Sequence, residues 1–313
     1  MRNLPRSWIL GITLASVAMS SCGKDIEVGE VNWGRDLDAA YATSAKSGKP
    51  VLILFQEVPG CAGCREFGRD VLSHPQVVEA IETEFEPILV YNNQPGPDAE
   101  ILKRFNEPAW NFQVIRFLDS SGEDVIPRQD RVWTVEAVAK RMADALEAVD
   151  RQVPPYLRAL AGVAAAGDPA QAAFAMFCFW TGERKLGALE GVLHTEAGWL
   201  EGREVTLVTY DRAILGFEEL VRSAASFDCA DKVFASEASE RKMASRSRLS
   251  VGKLSGYRAA RASDQKKQLS GTAYPRLNLS PVQATKLNAF ARTDPAKAQQ
   301  WLSPRQLKIL TQS

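Results

Sequence analysis

The chain has 313 residues, with 38 Lys and Arg balanced by 38 Asp and Glu, two histidines and five cysteines. Zero net charge leaves no overall field to draw it to nucleic acid or to an anionic membrane surface, so its partners have to be argued from sites. Cys22, Cys61, Cys64, Cys178 and Cys229 are too sparse, and odd in number, for the disulfide framework of a small secreted scaffold. His74 and His194 lie in different halves with no cysteine pair at zinc-finger spacing, so neither a metal nor another cofactor is expected. The length suits two domains once a targeting segment is set aside.

The chain opens with Arg2 and Arg6, an apolar run over residues 8–18, and the small residues Ser20 and Ser21 before Cys22. That run is too short to cross a bilayer as a stable anchor and reads as a signal peptide over residues 1–21. A cysteine directly after small residues resembles the lipobox of bacterial lipoproteins, although Met19 stands where leucine is usual. The resemblance implies that Cys22 is lipidated and that residues 22–35 form a tether. It places the protein on the membrane of the bacterial cell envelope, facing the periplasm. Gly23 is not the aspartate that retains enterobacterial lipoproteins in the inner membrane, so inner versus outer membrane stays open. Plain secretion with Cys22 as a free thiol is the alternative.

Residues 36–46 have helical character, and Gly48-Lys-Pro50 stops that helix before the apolar strand Val51-Leu-Ile-Leu-Phe55. Val58-Pro-Gly-Cys61-Ala-Gly-Cys64 follows, then helical periodicity over residues 65–85 and a strand over residues 87–91. Cys61 and Cys64 therefore sit at a strand-to-helix junction. A thiol there meets the positive end of the helix dipole and unpaired amide donors, which favour the nucleophilic thiolate. Two intervening residues let Cys64 fold back along the first turn to reach Cys61, so Cys61 attacks and Cys64 resolves.

The order helix, strand, Cys-x-x-Cys, helix, strand, helix, strand, strand, helix across residues 36–150 resembles the thioredoxin superfamily. Strand 113–117, the turn Asp119-Ser-Ser-Gly122 and a last helix over residues 134–147 complete it. The resemblance implies an α/β thioredoxin-like domain with a redox-active disulfide. One departure stands out: the family's cis-proline before the strand facing the cysteines is replaced by Trp110-Asn-Phe-Gln113, and Pro108 lies too far upstream. A structural disulfide, or a pair on an inert scaffold, is the bland reading of Cys61 and Cys64.

Arg151-Gln-Val-Pro-Pro155 breaks the pattern, and a second domain is expected over residues 151–270. There Cys178 follows an apolar strand and precedes a helix, and Phe179 and Trp180 offer an aromatic wall suited to a thioether methyl. Phe177-Cys178-Phe179-Trp180, residues 191–199 and residues 204–211 together resemble A-type peptide-methionine (S)-S-oxide reductases, with weaker matches at Phe227-Asp228 and Gly256-Tyr257-Arg258. The resemblance implies an α+β domain with a ferredoxin-like core. In it Cys178 would attack sulfoxide sulfur, Glu204 would share a proton with the oxygen, and Asp228 and Tyr257 would assist. Phe177 replaces a glycine, and the family's loop before the glutamate is missing, as in a decayed domain. Cys229 reads as a resolving thiol or a buried small residue, His194 as a polar strand residue, and His74 before Pro75 as a turn residue. Residues 271–313 carry prolines between short amphipathic stretches and read as a helical tail.

The combined expectation is an envelope thiol–disulfide oxidoreductase whose Cys61/Cys64 pair passes electrons to Cys178 for methionine sulfoxide reduction. Its partners would be proteins with disulfides or oxidised methionine, and an external thiol reductant. The alternative keeps the oxidoreductase and makes the second domain a catalytically dead client-binding module.

Overall fold

The computed structural model describes residues 25–110, 113–227 and 230–312; Cys22 with the expected signal peptide, Asp228 and Cys229 lie outside the described residues. Helix α1 (Leu37–Ser47) starts where the Asp36 side chain accepts the Ala39 N–H, and it ends at Gly48 with φ 69°. Strand β1 (Val51–Gln56) is buried along its whole length. It pairs in parallel with β2 (Glu86–Tyr91) and antiparallel with β3 (Val114–Leu118). Its alternating side chains feed two cores. Leu52 and Leu54 pack toward helices α2 (Ala62–Asp70), α3 (Pro75–Glu84) and α5 (Val135–Ala148), while Val51, Ile53 and Phe55 pack toward α1 and α4 (Pro97–Arg104).

Three local readings change. The helical stretch of residues 65–85 is two helices, because Pro75 has no N–H to continue the first and takes the opening turn of the second, with His74 at its N-cap. The second closing strand is reduced to a single bridge, Leu118↔Asp124. Finally, residues 25–35 pack on the domain. The turn Ile26–Val28 lies so close to α2 that a Cβ on Gly68 would come within 1.9 Å of the Ile26 carbonyl oxygen, and Gly34 bridges to Ile88.

Helix α6 (Pro155–Ala161) also belongs with this first unit, since Tyr156, Leu157 and Leu160 lie in its core. Beyond it come β4 (Pro169–Met176), α7 (Phe179–Gly187), β5 (Val192–Leu200), β6 (Arg203–Asp211), α8 (Phe217–Ser226) and β7 (Ala230–Ala235). The sheet order β7-β4-β6-β5 makes this β-α-β-β-α-β run a split βαβ, or ferredoxin-like, unit. Helix α9 (Ala238–Ala244) follows, and β8 (Ser250–Lys253) and β9 (Arg258–Ala259) extend the sheet at its two edges. Strands β5 and β6 join through Glu201 and Gly202 alone, both at positive φ (51° and 74°), as a two-residue hairpin turn requires.

The tail holds α10 (Pro281–Phe290), α11 (Pro295–Gln299) and α12 (Pro304–Thr311); capping boxes at Ser280/Gln283 and Ser303/Gln306 start the first and the last. It fastens the two units together. Ser280 Oγ donates to Ala159 O at 2.9 Å, Arg305 N donates to Glu79 Oε1 at 2.9 Å, and Lys286 Nζ donates to Gly187 O and Leu189 O at the end of α7. Among the described residues no helix is long and apolar enough to cross a membrane.

Candidate active site

Strand β1 delivers the chain into the loop Glu57-Val-Pro-Gly60, and Cys61 then occupies the N-cap of α2 in extended backbone. Gly60 makes this loop possible, because a Cβ there would stand 2.4 Å from Glu57 O and 2.6 Å from Cys64 Cβ. The loop is held from behind. Gly60 N donates to Glu27 Oε1 at 3.0 Å, Gln56 Nε2 donates to Glu27 O at 2.7 Å, and Val58 N donates to Asn93 Oδ1 at 3.3 Å.

The result is an exposed Cys61 over a fully buried Cys64, both free thiols, with their sulfurs 3.5 Å apart. Burial first, and then Cys61, push the Cys64 thiol up to about 12. The Glu57 carboxylate stands 3.9 Å from Cys64 Sγ. Attack from outside therefore falls to Cys61, and Cys64 is kept protonated and shielded until a neighbouring sulfur has to be displaced.

Gln113 stands just before β3, at φ 64°, with its backbone N–H on Phe55 O. Its buried side chain crosses to α2, and its Nε2, which has no hydrogen-bond partner, would lie 3.1 Å from a Cβ on Gly63. An amide thus fills the place where the thioredoxin resemblance directs the eye for a proline. Among the described residues the cis X–Pro bond is Val58–Pro59, in the lead-in to Cys61.

The family model described as thioredoxin-like matches residues 32–119, which contain both cysteines, β1, β2 and β3. This segment is a thioredoxin-like domain. Two solved structures are similar to the chain at low identity. One, "DsbH Oxidoreductase", is 16% identical, with 42% of this chain and 92% of that chain covered and a TM-score of 0.32. The other is Mxr1 from Saccharomyces cerevisiae in an unusual oxidized form, 16% identical, with 34% of this chain and 86% of that chain covered and a TM-score of 0.26. No curated protein matches the chain.

Outside the thioredoxin-like domain, Cys178 is half-buried at the N-cap of α7, again between a strand and a helix. Glu204, on β6, accepts the Phe179 N–H at 2.9 Å, so it stands at the same helix start as Cys178. Phe179 is buried between the rings of Trp180 and Trp199, each 5.8 Å away. Trp180 is fixed by its Nε1 donating to Asp264 O, and the Lys267 ammonium covers its ring at 4.8 Å. Tyr257 packs its ring over Gly198 and donates its hydroxyl to Ala197 O at 3.1 Å, which leaves that hydroxyl engaged with backbone. His194, half-buried, is pushed down to about 4 by burial and by the nearby Lys266 charge, so it is neutral at pH 7. His74 is lowered by burial too, and Asn278 Nδ2 lies 3.2 Å from its Nε2.

The chain thus brings Cys61 to Cys64, and Cys178 to Glu204, Phe179 and Trp180. Among the described residues no hydrogen bond joins Cys61 or Cys64 to Cys178. Sequence reading missed Glu57 and Glu27. Glu57 carried a signal, being an acidic residue in the loop between β1 and the cysteines, whereas Glu27 lies far away in sequence and reaches the loop only through the fold.

Proposed function

We propose that the chain catalyses thiol–disulfide exchange through Cys61 and Cys64. The observation that carries this reading is the pairing of an exposed sulfur at a helix start with a buried one 3.5 Å behind it. In the reducing direction the Cys61 thiolate attacks a client disulfide, forms a mixed disulfide and expels one client thiolate. Cys64 then gives up its proton, which the Glu57 carboxylate is near enough to take, and attacks Cys61 Sγ. The second client thiol leaves, and two electrons have passed from the pair to the client. An external thiol reductant restores the pair. The test is insulin reduction by the full-length chain with dithiothreitol: turnover that survives Cys61→Ser would refute the reading.

A finer reading gives the second unit its own chemistry. Cys178 would attack the sulfur of a methionine sulfoxide while Glu204 shares a proton with its oxygen. The oxygen ends on Cys178 as a sulfenic acid, methionine is released, and two thiols of the first domain would then reduce the sulfenic acid to the thiol, forming a disulfide and water. Its support is the shared position of Cys178 and Glu204 at the start of α7. The engaged Tyr257 hydroxyl and the two-residue turn at Glu201 and Gly202 favour instead a domain that holds clients. Turnover of a dabsylated methionine-S-sulfoxide, with Cys178→Ser as control, separates the two. The export segment and Cys22 support attachment to the bacterial envelope by a lipid anchor; metabolic labelling with a palmitate analogue, lost in Cys22→Ser, tests that part.

A further inference from the structure

Among the described residues, the donor atoms of Glu57, Cys61 and Cys64 form a group of metal-ligating atoms that all lie within 4.8 Å of one another. We infer that the reduced pair and Glu57 together form a binding site for a thiophilic divalent cation, with zinc the best fit. Three features of the site carry the inference.

The first is spacing. With Zn–S about 2.3 Å and Zn–O about 2.1 Å, tetrahedral ligation separates two sulfurs by about 3.8 Å and a sulfur from a carboxylate oxygen by about 3.6 Å. Here the sulfurs are 3.5 Å apart and Cys64 Sγ is 3.9 Å from Glu57 Oε2, each within a few tenths of an ångström of those separations, and all three donor atoms lie within 4.8 Å of one another, so side-chain adjustment brings them to three corners of a tetrahedron. The second is donor chemistry. Two thiolates and a carboxylate select zinc over calcium or magnesium, which prefer all-oxygen shells.

The third is support around the ligands. The loop carrying Glu57 is held by Glu27 and Asn93, and Cys64 is fully buried in the core. Cys61 is exposed, so an ion has a way in and a fourth position faces outward. Cys61 Sγ and the Gln113 side-chain amide both lie within 4 Å of the point a Gly63 Cβ would occupy. The Gln113 Nε2, which has no hydrogen-bond partner, thus faces the same glycine as the Cys61 sulfur.

Binding exchanges up to two thiol protons for one ion and keeps the pair reduced. A client disulfide that oxidises the pair takes two electrons from the sulfurs and frees the ion, so zinc and the Cys61–Cys64 disulfide exclude each other. The site uses the same thiols as the proposed exchange reaction but does not depend on that reaction occurring.

The full-length chain, reduced and freed of metal, is titrated with Zn2+ against a chromophoric chelator, with Co2+ as the spectroscopic probe. One equivalent is expected, with a thiolate-to-Co2+ charge-transfer band. Affinity should fall on the order of 100-fold in Cys61→Ser and at least about 10-fold in Glu57→Gln, with Cys178→Ser unchanged. Far-UV circular dichroism checks that each variant is folded. Failure of the wild type to bind, an unchanged affinity in Glu57→Gln, or loss of the site in Cys178→Ser each overturns the inference. Insulin reduction in excess chelator is scored separately, so either idea can fail while the other stands.

Discussion

Glu204 on β6 accepts the backbone N–H of Phe179 at 2.9 Å, so a strand residue caps the helix that begins immediately after Cys178. The same carboxylate is therefore both a structural cap and an acid at the start of that helix, beside Cys178. Glu204→Ala should cost about 1 kcal/mol in thermal unfolding, as loss of an N-terminal acceptor does. Glu204→Gln keeps an acceptor oxygen and should keep that stability. If Cys178 reduces sulfoxides, Glu204→Gln should lose most turnover with the fold intact, and full turnover in that variant would exclude Glu204 as the proton donor.

The contrast between Cys61 and Cys64 predicts an order of labelling. In the reduced protein iodoacetamide should modify Cys61 at least about 10-fold faster than Cys64, because Cys61 is exposed while Cys64 is buried and held protonated. Cys64→Ser should trap a mixed disulfide between Cys61 and a client. Mass spectrometry after timed quenching reads both, and equal labelling rates would contradict the buried placement of Cys64.

Cys64 also makes the stability of the reduced protein depend on alkaline pH. Its folded value, about 12, lies above the ordinary thiol value of 9.0, so the neutral form is the one the fold favours. That contribution is complete below pH 9 and is lost as pH rises toward 12. Melting temperatures measured between these limits should fall more steeply for the reduced wild type than for Cys64→Ala. Parallel curves would show that the thiol ionises as easily folded as unfolded.

At acid pH the same reasoning applies to His194 with the opposite sign. Its value falls from 6.5 to about 4 on folding, so its contribution is present above pH 6.5 and is lost as pH drops toward 4. His194→Gln should flatten this part of the stability profile. Unchanged slopes in denaturant melts at pH 7, 5.5 and 4.5 would assign acid sensitivity elsewhere.

The tail should stabilise both units at once. Truncating the chain after residue 302 deletes the Ser303 capping box, leaves Glu79 without the Arg305 N–H, and strips Gln283 of its Gln306 partner. Limited proteolysis should then cut both units faster than in the full chain, while Ser303→Ala alone should cost about 1 kcal/mol. Faster cutting confined to the tail would show that it merely rests on the surface.

The sequence by itself determined the elements and their chemistry wherever the signal is local. The apolar run of β1, the glycine stop at Gly48, the strand-to-helix settings of Cys61 and Cys178, and the proline-opened tail helices are legible because propensity, capping and periodicity act over a few residues. The thioredoxin-like order of the first domain follows from those pieces, whereas the ferredoxin-like core of the second unit was expected only through the resemblance, and its closing strand β7 was not read from local signals. The split of residues 65–85 at Pro75 was legible too, yet apolar periodicity on both sides masked it.

Tertiary structure alone decided the rest. That residues 25–35 and α6 join the first core, that Glu27 secures the active-site loop, and that Gln113 crosses to Gly63 all depend on contacts between residues far apart in sequence. The position of Glu57 beside Cys64 belongs to the same class, since a carboxylate reads as an ordinary surface charge until the fold sets it against a sulfur; Glu204 was singled out through the resemblance, but its bond to the Phe179 N–H was set by the fold. Local sequence fixes dihedral preferences, whereas distance between side chains is set by how the sheet and helices close on one another.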